Sequence, residues 1–137
     1  MSDDSRIRIV IADDQELVRA GFTMVINSQP DMQVVGQTSN GDQAIRLAEQ
    51  LTPDIVLMDV RMPGMDGITA TEHITRMATE GRPIRVIILT TFDLDEYVMA
   101  AIHAGASGFL LKDTEPETLL SSIRTVYQGN AIIAPSA

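Results

Sequence analysis

The sequence has no cysteine, which excludes disulfide bonds, thiolate zinc sites and cysteine nucleophiles. It has no apolar run near the roughly 20 residues that a membrane-spanning helix needs. Residues 1–6 are polar and acidic, so they lack the basic start and the apolar middle of a signal peptide. Positive charge is also scarce, with 10 Lys and Arg against 19 Asp and Glu, and a net charge of −9 repels phosphate backbones. These absences predict a cytoplasmic chain whose own surface binds neither membranes nor nucleic acids.

Five apolar runs alternate with five helical patterns along the 137 residues. The runs are nearly continuous, as in strands buried on both faces of a parallel sheet. They cover residues 7–11, 32–35, 55–58, 84–89 and 109–111. This alternation predicts an α/β, flavodoxin-like, doubly wound sandwich with a five-stranded parallel sheet in the order 2-1-3-4-5. We assign residues 1–130 to this domain and predict that residues 131–137, which are small, apolar and proline-containing, begin a linker.

Local signals mark two helix starts. Asn40 followed by Gly41 indicates the start of the second helix. Thr114 and Glu117 have the spacing of a capping box, with Pro116 tolerated in the first helical turn. The second of these signals predicts a last helix that is capped by the Thr114 side chain.

Polar side chains stand where the predicted strands end. Four of the five strands are followed by such groups, which are Asp13 with Asp14, Asp59, Thr90 and Lys112. The second strand, at the predicted sheet edge, ends at Gly36 without one. Taken singly, Asp13 and Asp14 read as a helix cap and Asp59 as a turn residue. Because ligands bind at the carboxyl ends of the strands where the strand order reverses, the whole set predicts one shared pocket.

Three carboxylates in one pocket require compensation, since like charges raise each other's pKa values. A hard divalent cation with oxygen ligands meets this need, so we expect Mg²⁺, with Mn²⁺ as the alternative. Lys112 adds a point charge that suits a phosphate oxygen, and Thr90 adds a hydroxyl donor. An aspartate beside these groups is equipped for covalent phosphoryl transfer to its carboxylate.

At these residues the chain closely resembles the receiver domains of bacterial two-component response regulators. The matching segments are residues 9–14 (IVIADD), 54–67 (DIVLMDVRMPGMDG), 86–90 (VIILT) and 104–112 (AGASGFLLK). The resemblance covers nearly the whole chain and implies that Asp59 accepts phosphate from a sensor histidine kinase. It also implies that Asp14 binds Mg²⁺ directly, that Asp13 assists, and that the backbone carbonyl of Arg61 adds a ligand.

The resemblance further assigns the groups that respond to the phosphoryl group. It implies that Lys112 pairs with the phosphoryl group and that Thr90 turns inward to bond one of its oxygens. Phe109 occupies the position of an aromatic switch that swings inward with Thr90, although a plain core aromatic is the alternative. Many receivers have proline after the lysine, whereas this chain has Asp113, for which we expect a trans peptide bond.

Three segments are similar to the subfamily with a C-terminal LuxR-type helix-turn-helix output domain (NarL/FixJ-like). They are residues 40–41 (NG), 91–93 (TFD) and 112–114 (KDT). No such domain lies in these 137 residues, so the resemblance implies the receiver part of a longer transcription regulator. Such a regulator would form a homodimer on phosphorylation and contact DNA through the missing domain. A free-standing receiver is the alternative.

Other functions fit the residues less well. An aspartyl-phosphate phosphatase usually carries a second acid two residues after the nucleophile, where this chain has Arg61. A flavin-binding module on the same fold would suffer repulsion between its phosphate and the pair Asp13–Asp14. A pseudo-receiver acts without phosphorylation, so it would not need the full set of polar residues at the strand ends. We therefore expect a protein that catalyses only its own phosphorylation and dephosphorylation, with Arg61 and Phe92 screening the acyl phosphate from water.

Overall fold

The computed structural model describes residues 6–77, 83–91, 95–130 and 132–133. The strands are β1 (Ile7–Ala12), β2 (Met32–Thr38), β3 (Ile55–Asp59), β4 (Arg85–Thr90), β5 (Gly108–Leu111) and β6 (Ile132–Ile133). The helices are α1 (Glu16–Asn27), α2 (Gly41–Leu51), α3 (Gly67–Arg76), α4 (Asp95–His103) and α5 (Pro116–Tyr127). Within these ranges, each helix is too short or too polar to cross a membrane.

The strands form one parallel sheet in the order β2-β1-β3-β4-β5-β6. The predicted order of the first five strands is confirmed. The sixth strand was not predicted, because two residues are too few to carry a periodic pattern. It pairs Ile132 and Ile133 with Gly108 and Phe109 of β5, inside the segment that we assigned to a linker.

Alternate side chains of the central strands enter two separate apolar cores, one on each face of the sheet. The core beneath α2, α3 and α4 includes Val10, Val56, Ile88, Ala48, Ile74 and Ala101. The core beneath α1 and α5 includes Ile9, Leu57, Leu89, Ile26 and Ile123. Because the central strands are covered on both sides, their apolar runs are continuous rather than alternating. The strand order therefore places the carboxyl ends of β1 and β3 side by side at the centre of the sheet.

The helix starts agree with the sequence in one case and differ in the other. Asn40 caps α2 as expected, because its side-chain oxygen accepts a hydrogen bond from the Gln43 backbone N–H at 2.8 Å. The predicted capping box at Thr114 is wrong. The N-cap of α5 is Glu115, which makes no side-chain cap, and Pro116 takes the first helical position. A backbone N–H at the first helical position has no acceptor within the helix, and proline has no N–H to leave unpaired. Pro116 can therefore start the helix without a side-chain cap.

The peptide bond between Lys112 and Asp113 is trans, since the described residues contain no cis peptide bond. Gly105 and Gly129 follow α4 and α5 with φ values of +97° and +100°. Glycine adopts this left-handed conformation at low cost, which lets the chain leave each helix.

Candidate phosphoacceptor site

The predicted site residues, apart from Phe109, meet at the carboxyl edge of the sheet. Five of them line one cleft of about 200 Å³ together with Gln15 and Thr91, namely Asp14, Asp59, Arg61, Thr90 and Lys112. Asp13 is fully buried below this cleft, while Asp14 is exposed. A larger cleft of about 400 Å³ lies at the α1–β2 turn, but its lining contains no carboxylate. The convergence of polar strand ends that the sequence predicts is therefore present in the structure.

Lys112 is the centre of the polar contacts in the cleft. Its Nζ atom lies 3.1 Å from Asp59 Oδ2, 3.0 Å from Asp13 Oδ2 and 3.2 Å from Asp13 Oδ1. The ammonium also donates a hydrogen bond to Gln15 Oε1 at 2.7 Å. Only 9% of the Lys112 side chain is exposed, so its contacts with Asp13 and Asp59 are weakly screened by water. Lys112 thus links the ends of β1, β3 and β5 through one charge.

Asp59 is the most perturbed carboxyl group in the cleft. Its burial and the negative charge of Asp13 raise its pKa to about 6 from an ordinary value of 3.8. The Lys112 ammonium and the Arg61 backbone N–H, 3.4 Å from Asp59 Oδ1, act in the opposite direction. The raised pKa shows that the Lys112 ammonium does not fully offset the burial of Asp59 and the negative charge of Asp13. A further positive charge at this site would stabilise the ionised form of Asp59.

The three aspartates have the arrangement of a cation site. Asp13, Asp14 and Asp59 each offer a carboxylate oxygen, and these oxygens all lie within 4.8 Å of one another. They are hard oxygen donors of the kind that divalent cations such as Mg²⁺ and Ca²⁺ take. The geometry, the donor chemistry and the raised Asp59 pKa all fit a bound divalent cation.

Thr90 and Phe109 lie on the same face of the sheet but at different depths. Thr90 ends β4 and is 4% exposed, and its side chain points to the same face as that of Ile88 two residues earlier. Phe109 pairs with Ile88 across the sheet and is 1% exposed in the core below α3 and α4. Phe109 therefore already points inward here, and Phe92 lies outside the described residues.

The loop after Asp59 is held against β3 by a close backbone approach at Gly67. The Gly67 N–H donates to the Val60 carbonyl at 2.8 Å, and a Cβ at position 67 would lie 1.8 Å from the Asp59 carbonyl oxygen. Asp66 caps α3 by accepting a hydrogen bond from the Thr69 N–H at 2.8 Å. Only glycine permits this approach, which fixes the start of α3 beside the predicted phosphoacceptor.

The close approach predicts a large effect of one methyl group. Gly67→Ala is expected to lower the free energy of unfolding by about 3 kcal/mol, because β3 and α3 must separate to make room. Gly21→Ala is the matched control, since Gly21 is exposed within α1 and a Cβ at that position would have no atom within 4 Å. It is expected to raise stability by about 0.5–1 kcal/mol. Urea unfolding of both variants measures the difference, and a Gly67→Ala protein as stable as wild type would contradict this account.

Two residues near the site were not singled out by the sequence. Gln15 accepts a hydrogen bond from Lys112, and Arg19 donates one from its Nη1 atom to the Asp13 carbonyl oxygen at 2.5 Å. Both are polar residues at the start of α1, where most positions are solvated. The only signal in the sequence is that Gln15 directly follows the aspartate pair.

Comparison with known proteins identifies the family. Residues 9–124 match the family described as response regulator receiver domain. The transcriptional regulatory protein YxjL of Bacillus subtilis is 50% identical over 127 residues, which are 93% of this chain and 57% of that protein. The nitrate/nitrite response regulator protein NarL of Escherichia coli K12 is 37% identical over 134 residues, or 98% of this chain and 61% of that protein. The chain belongs to the response regulator receiver domain family.

The solved structures agree with this assignment. A two-component response regulator of the LuxR family from Aurantimonas sp. SI85-9A1 superposes with a TM-score of 0.86 at 35% identity. The superposition covers 96% of this chain and 91% of that one. The chain is thus a receiver domain, the phosphoacceptor unit of two-component systems, and it spans about 57–61% of the length of the curated relatives named above.

Proposed function

We propose that Asp59 is the phosphoacceptor and that a sensor histidine kinase is its phosphodonor. The observation that carries the proposal is the environment of the Asp59 carboxylate. It is almost buried at the carboxyl edge of β3, contacts Lys112 at 3.1 Å, and lies in one oxygen cluster with Asp13 and Asp14. This environment combines a nucleophilic oxygen with positive charge on the side where a phosphoryl group would bind.

The resident cation in this proposal is Mg²⁺, with Mn²⁺ as the alternative. Asp13, Asp14, Asp59 and the backbone carbonyl of Arg61 would hold it. The oxygen cluster and the raised pKa of Asp59 support this assignment. When bound, the cation would supply positive charge that offsets the charges of the aspartates and of the phosphoryl group.

The side chains of this chain have separate roles in the proposed reaction. An Asp59 carboxylate oxygen attacks the phosphorus of a phosphohistidine, the P–N bond breaks, and the leaving imidazole nitrogen takes up a proton. Lys112 donates to a phosphoryl oxygen, because its ammonium already lies beside Asp59 Oδ2. The Thr90 hydroxyl donates to another oxygen. The chain catalyses only this self-phosphorylation and the later hydrolysis of its own acyl phosphate, in which water releases inorganic phosphate and restores the Asp59 carboxylate.

The proposed switch uses the shared face of Thr90 and Phe109. The phosphoryl group adds roughly one to two negative charges at the end of β3, which draws Thr90 toward it. Phe109 lies in the neighbouring strand β5 on the same face of the sheet. The space that the Thr90 side chain leaves is therefore available to the Phe109 ring. The inward conformation of Phe109 would then be favoured over an outward one after phosphorylation.

The whole protein in this proposal is a DNA-binding transcription regulator. The relatives are named as regulators, and this chain covers little more than half of each. A receiver whose sheet extends to β6 (Ile132–Ile133) would then be followed by a linker and by a helix-turn-helix output domain. Phosphorylation would promote a homodimer that contacts DNA through that domain. We expect the protein to act in the cytoplasm, where its kinase would meet it.

The test is intact-mass analysis of the chain after incubation with acetyl phosphate and Mg²⁺. One acid-stable, base-labile phosphoryl adduct is expected on wild type, and none on Asp59→Asn or in the presence of EDTA. An adduct that persists on Asp59→Asn would move the phosphoacceptor elsewhere. If wild type forms no adduct while binding Mg²⁺, incubation with candidate phosphorylated kinases decides the matter, and failure there as well would overturn the proposal.

A further inference from the structure

The shortest contact of the Lys112 ammonium is with a neutral group. Gln15 Oε1 lies 2.7 Å from Lys112 Nζ, whereas the carboxylate oxygens of Asp13 and Asp59 lie 3.0–3.2 Å away. An ammonium has three N–H donors and no acceptor. Asp13, Asp59 and Gln15 therefore provide one acceptor group for each donor.

Lys112 is also the only lysine of the chain, which otherwise uses arginine for positive charge. A lysine ammonium is a compact charge on a flexible four-carbon stem, so its position depends on what holds it. The two carboxylates attract the ammonium, but by themselves they leave its third N–H without an acceptor. Gln15 supplies that third acceptor without adding another negative charge to the three-aspartate cluster.

The start of α1 places Gln15 where it can do this. Gln15 is the N-cap residue of α1, yet its side chain makes no capping hydrogen bond. Its backbone N–H donates to Asp13 Oδ1 at 2.8 Å, which ties the residue to the buried aspartate. The backbone thus anchors Gln15 beside the cleft, and the side-chain amide is left to contact Lys112.

We propose that Gln15 is a positioning residue that holds the Lys112 ammonium against Asp59 for phosphoryl transfer. The proposal rests on the function proposed above, because it assigns Lys112 to the phosphoryl group. Without the Gln15 amide, the third ammonium N–H turns to water and the ammonium samples positions away from Asp59. The rate of Asp59 phosphorylation then falls, while the fold is unaffected because the Gln15 side chain caps nothing.

The test compares Gln15→Met, which keeps the side-chain length but removes the acceptor, with Gln50→Met, an exposed glutamine of α2. Each change is made in wild type and in Lys112→Met, and phosphorylation by acetyl phosphate with Mg²⁺ is followed by intact mass. Gln15→Met is expected to slow wild type about five- to tenfold, which is the effect of losing one hydrogen bond at the upper end of the usual net range. It is expected to cause no further loss in Lys112→Met, and Gln50→Met is expected to change neither rate.

A Gln15→Met protein that is phosphorylated at the wild-type rate, or slowed equally in both backgrounds, would overturn the proposal. The single lysine also gives a readout without phosphorylation. In ¹H–¹⁵N spectra, the one lysine ammonium signal should weaken through faster exchange with water in Gln15→Met, and an unchanged signal would count against the contact. If wild type itself is never phosphorylated, that result contradicts the proposed function. The spectra would then still test whether Gln15 holds the Lys112 ammonium.

Discussion

Replacing Lys112 with methionine is expected to slow phosphorylation of Asp59 by about 10²–10³-fold, the usual cost of losing one group that stabilises transition-state charge. Methionine has a similar length but no charge, so the developing charge on the phosphoryl oxygens loses its nearest protein donor. The contact of 3.1 Å between Lys112 Nζ and Asp59 Oδ2 is the basis for this expectation. Rates from intact-mass time courses with acetyl phosphate and saturating Mg²⁺ measure it.

The same substitution is expected to destabilise the fold in the absence of divalent cations. It leaves the buried Asp13 and Asp59 carboxylates without their common ammonium, and breaking a buried ion pair costs about 3–5 kcal/mol. Arg124→Met is the matched control, because Arg124 contacts Asp31 at a similar 2.9 Å but both side chains are more than a third exposed. Its loss is expected to cost about 1 kcal/mol or less. Equal losses in urea unfolding would contradict the buried character of the Lys112 contacts.

Wild type is expected to lose stability relative to Asp59→Asn as the pH rises from about 4 to about 7 without divalent cations. The Asp59 carboxyl has a pKa of about 6 in the folded chain and near 3.8 when unfolded, so the folded state binds its proton more tightly. The stability that protonation contributes is therefore lost as the pH rises through the folded pKa. The difference between the two proteins should grow from near zero to at most about 3 kcal/mol.

Urea unfolding in EDTA at several pH values measures this difference. A neutral carboxyl group and an amide are similar in size and polarity, so the two proteins should be equally stable at the acid end. Adding Mg²⁺ at neutral pH should stabilise wild type more than Asp59→Asn, because the variant lacks one of the three clustered carboxylates. A difference that does not change with pH would show that Asp59 is not held in the crowded, buried environment described here.

Much of the fold could be predicted from the sequence because its central strands are covered on both faces. Runs such as residues 55–58 have no polar interruption, and helical patterns lie between them, so a parallel sheet followed. Its strand order was taken from the usual arrangement of open doubly wound sheets, and the structure has that order. The details at element ends could not be predicted equally well. Thr114 has a capping pattern but lies one residue before the true N-cap, Glu115, and β6 is too short for any pattern.

The candidate site was also visible, because parallel strands bring their carboxyl ends to one edge. Asp59, Thr90 and Lys112 each follow a different strand, so the topology alone places them together. The contact of Gln15 with Lys112 was not predicted, because the two residues are 97 positions apart in the chain and only the fold brings their side chains together. An exposed glutamine at a helix start carries no signal of such a contact in the sequence.

The sequence by itself determined which chemical groups stand at the strand ends and in which order strands and helices follow one another along the chain. Those features follow from apolar periodicity and from residue type, both of which are local. The tertiary structure decided the ionisation and the partners of these groups. Burial and the Asp13 charge raise the pKa of Asp59, and Lys112 divides its donors among Asp13, Asp59 and Gln15. Desolvation and Coulomb energies depend on distances between residues that are far apart in the chain, and only the folded structure sets those distances.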